Sequence, residues 1–207
     1  MTLTVYHAPP SRSVRILWLL EEMGVPYETK TFPIRGDYMT SDDFRAINPT
    51  AKVPAIDDDG LILFESVAIM EYLLAKHGAK GLAPEPSDRL YGPYLQWLHY
   101  GEAGMGPYVT MCLGHRRLLP EAARIPAMAQ WGEDSARHCL DVLAGQLSAH
   151  DYLLPTGFSA ADISVAYMLL LAKFAGIMKH APEPVTAYFD RCTARESWKV
   201  ASASPEA

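Results

Sequence analysis

One pattern in the sequence limits the possible folds of this chain most. A proline opens a strand, and an acid and a hydroxyl follow where the next helix begins. Pro54, in the segment AKVPAI, has no N–H to give to a strand ladder and belongs at the first residue or the edge of a strand. After a turn and a second strand, Glu65 and Ser66 stand at the start of an apolar helix. A helix N-terminus can bind a carboxylate, and Glu65 supplies a negative charge for an ammonium group. The arrangement suits a small extended peptide with a free amino-acid end.

The first 78 residues alternate between strand and helix patterns. Gly24 ends the first helical run, and Asp59-Gly60 is a strong signal for a hairpin turn. A polar segment at 36–48 includes a short helix near 41–46. The patterns predict strands at 2–6, 27–32, 53–56 and 61–64 and longer helices at 11–23 and 66–77. The order βαβ, polar segment, ββα is the layout of a thioredoxin-like α/β domain.

The second half is predicted to be all-helical. Residues 79–87 contain a glycine and two prolines, which predicts a linker. Met105-Gly106-Pro107 predicts a break or bend in a longer helical stretch. Helical periodicity covers 89–101, 126–147, 160–175 and 184–194. We therefore predict a thioredoxin-like domain at 1–78, a linker at 79–87 and an all-helical domain at 88–207.

Charge and cysteine content exclude several classes of function. A net charge of −6 argues against a nucleic-acid-binding surface, which needs a concentrated basic stripe. Three widely spaced cysteines suggest neither a disulfide framework nor a zinc site, and we expect no metal. The chain has no apolar run of membrane-spanning length and no signal-peptide pattern. The expectation is a cytoplasmic protein that binds no nucleic acid and no membrane.

In a thioredoxin-like domain the Val53-Pro54 corner faces the ligand. The residue before the proline offers its N–H and C=O to an extended peptide, which binds like an added strand. Val53 would play that part, with a cis bond to Pro54. The alternative is an ordinary trans proline at a strand edge.

The start of the first helix carries no cysteine, although a redox thioredoxin domain has Cys-x-x-Cys there. The reactive thiol would then come from the ligand. A free thiol has a pKa of about 8.5, and a hydroxyl hydrogen bond together with the helix N-terminus would favour its thiolate. Ser11 is the preferred donor, with Ser13 and Tyr6 as alternatives. Ser11 also suits a simple helix N-cap.

Two further groups of residues lie in the helical half. Ser159-x-x-Asp162 is a capping-box pattern, flanked by Phe158 and Ile163 at the positions of a hydrophobic staple. We interpret Asp162 as structural. Aromatic residues and methionines at helical spacing could line a pocket for an apolar co-substrate or form ordinary core. The pocket candidates are Tyr100, Met105 and Tyr108.

These residues together resemble the glutathione transferase superfamily over nearly the whole chain, from 2 to about 199. Ser11-Arg12-Ser13 and the following RILWLLEE are most similar to the cytosolic bacterial and fungal members that carry a serine. Asn48-Pro49 ahead of the Val53-Pro54 corner and the Glu65-Ser66 pair also fit the family. The capping segment matches the folding motif of its helical domain.

The resemblance implies a homodimer that binds glutathione as co-substrate and conjugates its thiolate to a small apolar electrophile. Ala8-Pro9-Pro10 departs from the more polar residues common ahead of the first helix. The alternatives are a glutathione-dependent disulfide reductase and a non-catalytic interaction module on the same fold. The implied glutathione site comprises Ser11, Lys52, Val53, Pro54, Glu65 and Ser66, with Ser11 as the catalytic residue.

Overall fold

The computed structural model describes residues 2–203, which form two compact units. Unit 1 contains the chain up to Lys80 together with the segment from Arg195 onward, and unit 2 is Gly81–Ala194. Residue 1 and residues 204–207, which the predicted domains include, lie outside the described residues.

Unit 1 is built on a four-stranded mixed sheet. The strand order is β2-β1-β3-β4; β1 and β2 are parallel, and the other two pairs are antiparallel. Four helices lie in the described part of the first 80 residues, and the helix at Glu196–Ser202 also belongs to this unit. The elements are β1 Leu3–His7, α1 Val14–Met23, β2 Glu28–Thr31, α2 Asp37–Thr40, α3 Asp42–Ile47, β3 Ala55–Asp58, β4 Leu61–Phe64 and α4 Ser66–His77.

The two central strands of this sheet hold its core. Val5 on β1 pairs with Ile56 on β3, and both side chains are fully buried. The edge strands β2 and β4 are largely exposed or half-buried, because each has a neighbour on one side only. β3 starts at Ala55, just after Pro54, since proline cannot donate to the ladder.

The glycine that ends α1 confirms the predicted stop. Gly24 has φ 59° and ψ 36°, and its N–H bonds to the carbonyl groups of Leu20 and Glu21. This left-handed conformation carries little steric cost for glycine, which lacks a Cβ.

Unit 2 is helical. Its α-helices are α5 Tyr91–His99, α6 Gly106–Leu113, α7 Pro126–Leu147, α8 Ala160–Phe174 and α9 Glu183–Thr193. Between α5 and α6 the chain does not break but widens into a π-helical segment at Tyr100–Met105. Pro107 sits in the first turn of α6, directly after this π-helical segment. A second π-helical segment, Gly114–Leu118, follows α6, and short 3₁₀ turns lie at Glu121–Ala123 and Ile177–His180.

Asp162 joins three parts of unit 2. One carboxylate oxygen accepts the Ser159 N–H at 2.7 Å and the Ser159 hydroxyl at 2.9 Å. The other accepts the Leu153 N–H and the Tyr188 hydroxyl, each at 3.0 Å. The side chain is fully buried, and burial raises its pKa while the four donors oppose that rise. The capping box predicted at this helix start is present.

Phe158 packs its ring edge-on against Tyr152, with the centroids 5.6 Å apart. The hydrophobic staple between Phe158 and Ile163 stays a prediction.

The last helix, α10 Glu196–Ser202, belongs to unit 1 and packs against α1. The Trp198 ring packs against the Trp18 ring at a tilt of 60°, with the centroids 4.8 Å apart. Arg195 forms two hydrogen bonds with the Glu22 carboxylate, at 2.6 and 2.7 Å. From the sequence we assigned these residues to the helical domain. A short amphipathic helix does not indicate which partner will cover its apolar face, so only the tertiary structure reveals this placement.

Candidate functional site

The loop before Pro54 is held by one buried amide. Asn48 Nδ2 donates to the Lys52 carbonyl at 2.7 Å, and Asn48 Oδ1 accepts the Thr50 N–H and hydroxyl at 3.0 and 2.9 Å. Asn48 is 2% exposed, which shields these bonds from water. The side chain of Lys52 itself is exposed. Asn48 therefore sets the path of the chain into Val53.

Val53 presents its backbone beyond the end of the sheet. Its bond to Pro54 is cis, as predicted, and the β3 ladder begins only at Ala55. Among residues 2–203, no hydrogen bond takes up the Val53 N–H or C=O. Backbone donors and acceptors need partners, so this pair is suited to an extended ligand.

Glu65 and Ser66 lie at the start of α4, which spans Ser66–His77 as predicted. Ser66 is the first helical residue, and the N-cap position belongs to Glu65. Glu65 has φ 76° and ψ 108°, a conformation that non-glycine residues rarely adopt. Such backbone strain concentrates at functional sites. Glu65 is exposed, and Ser66, the next residue, is buried.

A buried arginine that the sequence analysis missed completes this end of the site. Arg15, on α1, is fully buried, and its guanidinium donates to Ser66 Oγ at 3.1 Å. The guanidinium and the α4 N-terminus both favour an anion at Ser66. The signal available was a basic residue in the middle of the apolar run Val14 to Leu20, but a charge on a helix usually faces solvent.

The serines before α1 form a buried chain of hydrogen bonds with His7. Ser13 Oγ lies 2.7 Å from His7 Nδ1 and 2.6 Å from Ser11 Oγ, and the Ser13 N–H donates to Ser11 Oγ at 3.2 Å. Ser13, not Ser11, occupies the N-cap position of α1, and its side chain makes no capping bond. Ser11 Oγ accepts a backbone N–H in the way a capping side chain does, although Ser11 lies two residues before the N-cap position.

The other hydroxyl candidate, Tyr6, belongs to the core of unit 1. Its ring packs 5.9 Å from that of Phe44, and burial raises the pKa of its phenol. A raised pKa keeps the phenol protonated. The choice of Ser11 as the thiol-activating group stays a prediction.

His7 should make this protein less stable in mild acid. It is fully buried, and burial lowers its pKa from 6.5 to about 4. Between these values the unfolded chain takes up a proton that the folded chain does not, so the stability present above pH 6.5 is lost as pH falls toward 4. We expect the free energy of unfolding to drop by about 2 kcal/mol between roughly pH 7.5 and 5.

Urea unfolding at the two pH values measures this drop, and the same pair of measurements on His7→Asn is the control. The drop should shrink in the variant, because asparagine does not titrate. An equal drop in both proteins would mean that titratable groups other than His7 cause the loss of stability.

The three co-substrate candidates all lie in unit 2. The Tyr100 hydroxyl donates to the Cys139 carbonyl at 3.3 Å, and the Tyr108 ring packs edge-on against Trp131. Met105 is fully buried. Their role as a pocket stays a prediction.

Two negative findings concern the part of the chain that the structure describes. No helix there is long and apolar enough to cross a membrane. Likewise, residues 2–203 hold no group of three or more His, Cys, Asp and Glu side chains that could bind a metal ion.

Fold and site together define a class: a thioredoxin-like domain that presents an open backbone pair and a helix N-terminus, joined to a helical domain. Residues 1–75 match the N-terminal domain model of glutathione S-transferase, and residues 125–191 match its C-terminal domain model. Glutathione S-transferase 3 of Schizosaccharomyces pombe is 36% identical over 181 residues, which are 83% of this chain and 74% of that protein. The chain belongs to the glutathione S-transferase family, and the predicted fold class is confirmed.

Solved structures agree on the fold. A glutathione transferase from Pseudomonas putida, with one glutathione disulfide bound per subunit, superposes with a TM-score of 0.87 at 23% identity, over 99% of this chain and 92% of that one. A homolog from Lodderomyces elongisporus, with two glutathione molecules per subunit, gives a TM-score of 0.88 at 19% identity over 99% of both chains.

Proposed function

We propose that this protein is a cytoplasmic, homodimeric glutathione transferase that conjugates the glutathione thiolate to a small apolar electrophile. The observation that carries the proposal is the meeting of Arg15, Ser66 and the α4 N-terminus beside the Glu65 carboxylate. A free α-amino acid has one carboxylate and one ammonium group, and this pair of opposite charges suits both.

The proposed positions of the other parts of glutathione follow from that anchor. The γ-glutamyl end lies at Glu65 and Ser66, and the peptide then runs along Val53 and pairs with its N–H and C=O. Lys52 supplies a positive charge for the glycyl carboxylate. The thiol lies near Ser11, and the electrophile is assigned to the predicted pocket of Tyr100, Met105 and Tyr108.

The rate of conjugation would come from two sources. Binding both reactants on one protein replaces a bimolecular encounter, and a hydrogen bond to the sulfur stabilises the thiolate over the thiol. Neither step needs a protein cysteine. The three cysteines, Cys112, Cys139 and Cys192, are buried in unit 2.

Disulfide reduction is the second candidate, favoured by the structural relative from Pseudomonas putida that binds glutathione disulfide. Without a reactive cysteine near α1, a bound glutathione thiolate would attack a mixed disulfide. A screen of electrophiles and mixed disulfides with the purified protein separates the two activities. Turnover of disulfides with little conjugation would favour the reductase.

Calorimetric titration with glutathione is the first test, on the wild type, Ser66→Ala and the control Ser87→Ala. We expect Ser66→Ala to weaken binding by about tenfold, roughly 1.4 kcal/mol, because a buried hydrogen bond to a carboxylate is lost. Ser87 is exposed and outside the site, so its variant should bind like the wild type. If the wild type binds no glutathione, both enzymatic proposals fail, and the interaction module becomes the leading hypothesis.

A further inference from the structure

The hydroxyl of Ser13 has three hydrogen-bonding neighbours. Its oxygen accepts the Ala8 N–H at 3.4 Å, and it lies within hydrogen-bond distance of both His7 Nδ1 and Ser11 Oγ. A hydroxyl has one hydrogen and two lone pairs, so Ser13 donates to one of His7 and Ser11 and accepts from the other. The position of the proton on the His7 ring decides which.

The second ring nitrogen of His7 settles that position. Nε2 is buried and has no hydrogen-bond partner among the described residues. A proton on Nε2 would bury an N–H without an acceptor, which is rare and costly in proteins. The proton therefore belongs on Nδ1, which donates to Ser13, and Ser13 donates to Ser11.

The direction of this chain determines what Ser11 can do. Ser11 Oγ accepts two hydrogens, one from the Ser13 hydroxyl and one from the Ser13 N–H. Both of its lone pairs are occupied, and its own hydrogen is what remains. We propose that His7 is a positioning residue that, through Ser13, fixes the Ser11 hydroxyl as a hydrogen-bond donor toward the ligand.

For the ligand this direction has a chemical consequence, which rests on the proposed function. A hydrogen-bond donor stabilises the charged thiolate more than the neutral thiol. With His7 in place, Ser11 favours the ionised sulfur of bound glutathione. Without it, the Ser13 oxygen loses a donor and becomes an acceptor for the Ser11 hydrogen, which then no longer points at the ligand.

The direction can be measured without any ligand. Nitrogen-15 chemical shifts distinguish the two neutral forms of an imidazole ring, and the His7 signals are identified by their loss in His7→Asn. We expect the form protonated on Nδ1. Protonation on Nε2 overturns the proposal, whether or not glutathione binds.

The effect on the sulfur is tested with a pair of variants, by titrating the thiolate absorbance of bound glutathione. His7→Leu removes the donor, and we expect the pKa of the bound thiol to rise by about 1, with little change in glutathione affinity at a pH below the wild-type pKa of the bound thiol. His7→Asn keeps an N–H near the place of Nδ1 and should restore most of the wild-type pKa. A packing defect would affect both variants, so equal values for Leu and Asn overturn the proposal, as does an unchanged pKa in His7→Leu.

A double variant connects the effect to Ser11. In a Ser11→Ala background, His7→Leu should change the thiol pKa no further, because the hydroxyl through which it acts is gone. An additional rise of the same size would mean that His7 acts by another route. Failure of the wild type to bind glutathione would reject the proposed function but leave the nitrogen-15 result to decide the direction of the chain.

Discussion

Replacing Asp162 by alanine is expected to lower the free energy of unfolding by about 3–5 kcal/mol. The substitution leaves the Leu153 N–H, the Ser159 N–H and the Tyr188 hydroxyl without their acceptor in a region closed to water. Each buried donor without a partner costs about 1–3 kcal/mol. The loss also removes the capping box that starts α8, the most buried helix of unit 2.

Urea unfolding of purified variants measures the effect, with Asp141→Ala as the matched control. Asp141 is exposed on α7, and its replacement should change stability by less than about 0.5 kcal/mol. The loss of stability in Asp162→Asn should lie between those of Asp162→Ala and Asp141→Ala, because the single amide oxygen can accept only half of the four hydrogen bonds. If Asp162→Ala is as stable as the control, the structural interpretation of Asp162 is wrong.

Ser11→Ala is expected to raise the pKa of the thiol of bound glutathione by about 1–2. At a pH below the pKa of this bound thiol, kcat/KM should fall by about 10- to 100-fold. The reason is the loss of a hydrogen bond to a charged atom, which is worth about 1.5–3 kcal/mol. Glutathione affinity should change little at a pH below the pKa of the bound thiol, where the sulfur is protonated in both proteins and the proposed γ-glutamyl anchor at Glu65 and Ser66 is untouched.

Titration of the thiolate absorbance gives the pKa, and conjugation rates across pH give kcat/KM. Ser11→Thr keeps the hydroxyl and is the control for its chemistry. An unchanged thiol pKa in Ser11→Ala would remove Ser11 from the role and leave Ser13, Tyr6 or the helix N-terminus alone as the source of activation.

Local patterns predicted the fold well where neighbouring residues decide the conformation. Gly24 ended α1, Asp59-Gly60 closed the β3–β4 hairpin, and Pro54 kept the ladder from starting before Ala55. The cis bond before Pro54 followed from the context of the fold. The bounds of α4 were predicted, but the positive φ of Glu65 before it was not, because no local propensity favours that conformation.

The site was predicted less completely, because its charge balance depends on burial. His7 lies close to Ser11 in the sequence, but a lone histidine does not indicate which residue it will bond to. Arg15 and Asn48 have polar side chains that could equally have faced solvent. Their hydrogen bonds to Ser66 and Lys52 show that they do not.

The sequence by itself determined the class of each domain, the turn positions and the cis corner at Val53-Pro54. These depend on periodicity, on proline and glycine geometry and on capping patterns, all of which act within a few residues. Only the tertiary structure decided that Arg15 meets Ser66, 51 residues later, and that Arg195 meets Glu22, 173 residues earlier. The physical reason is that a buried charge is stable only beside a specific partner, and no local pattern identifies a partner that distant in the chain.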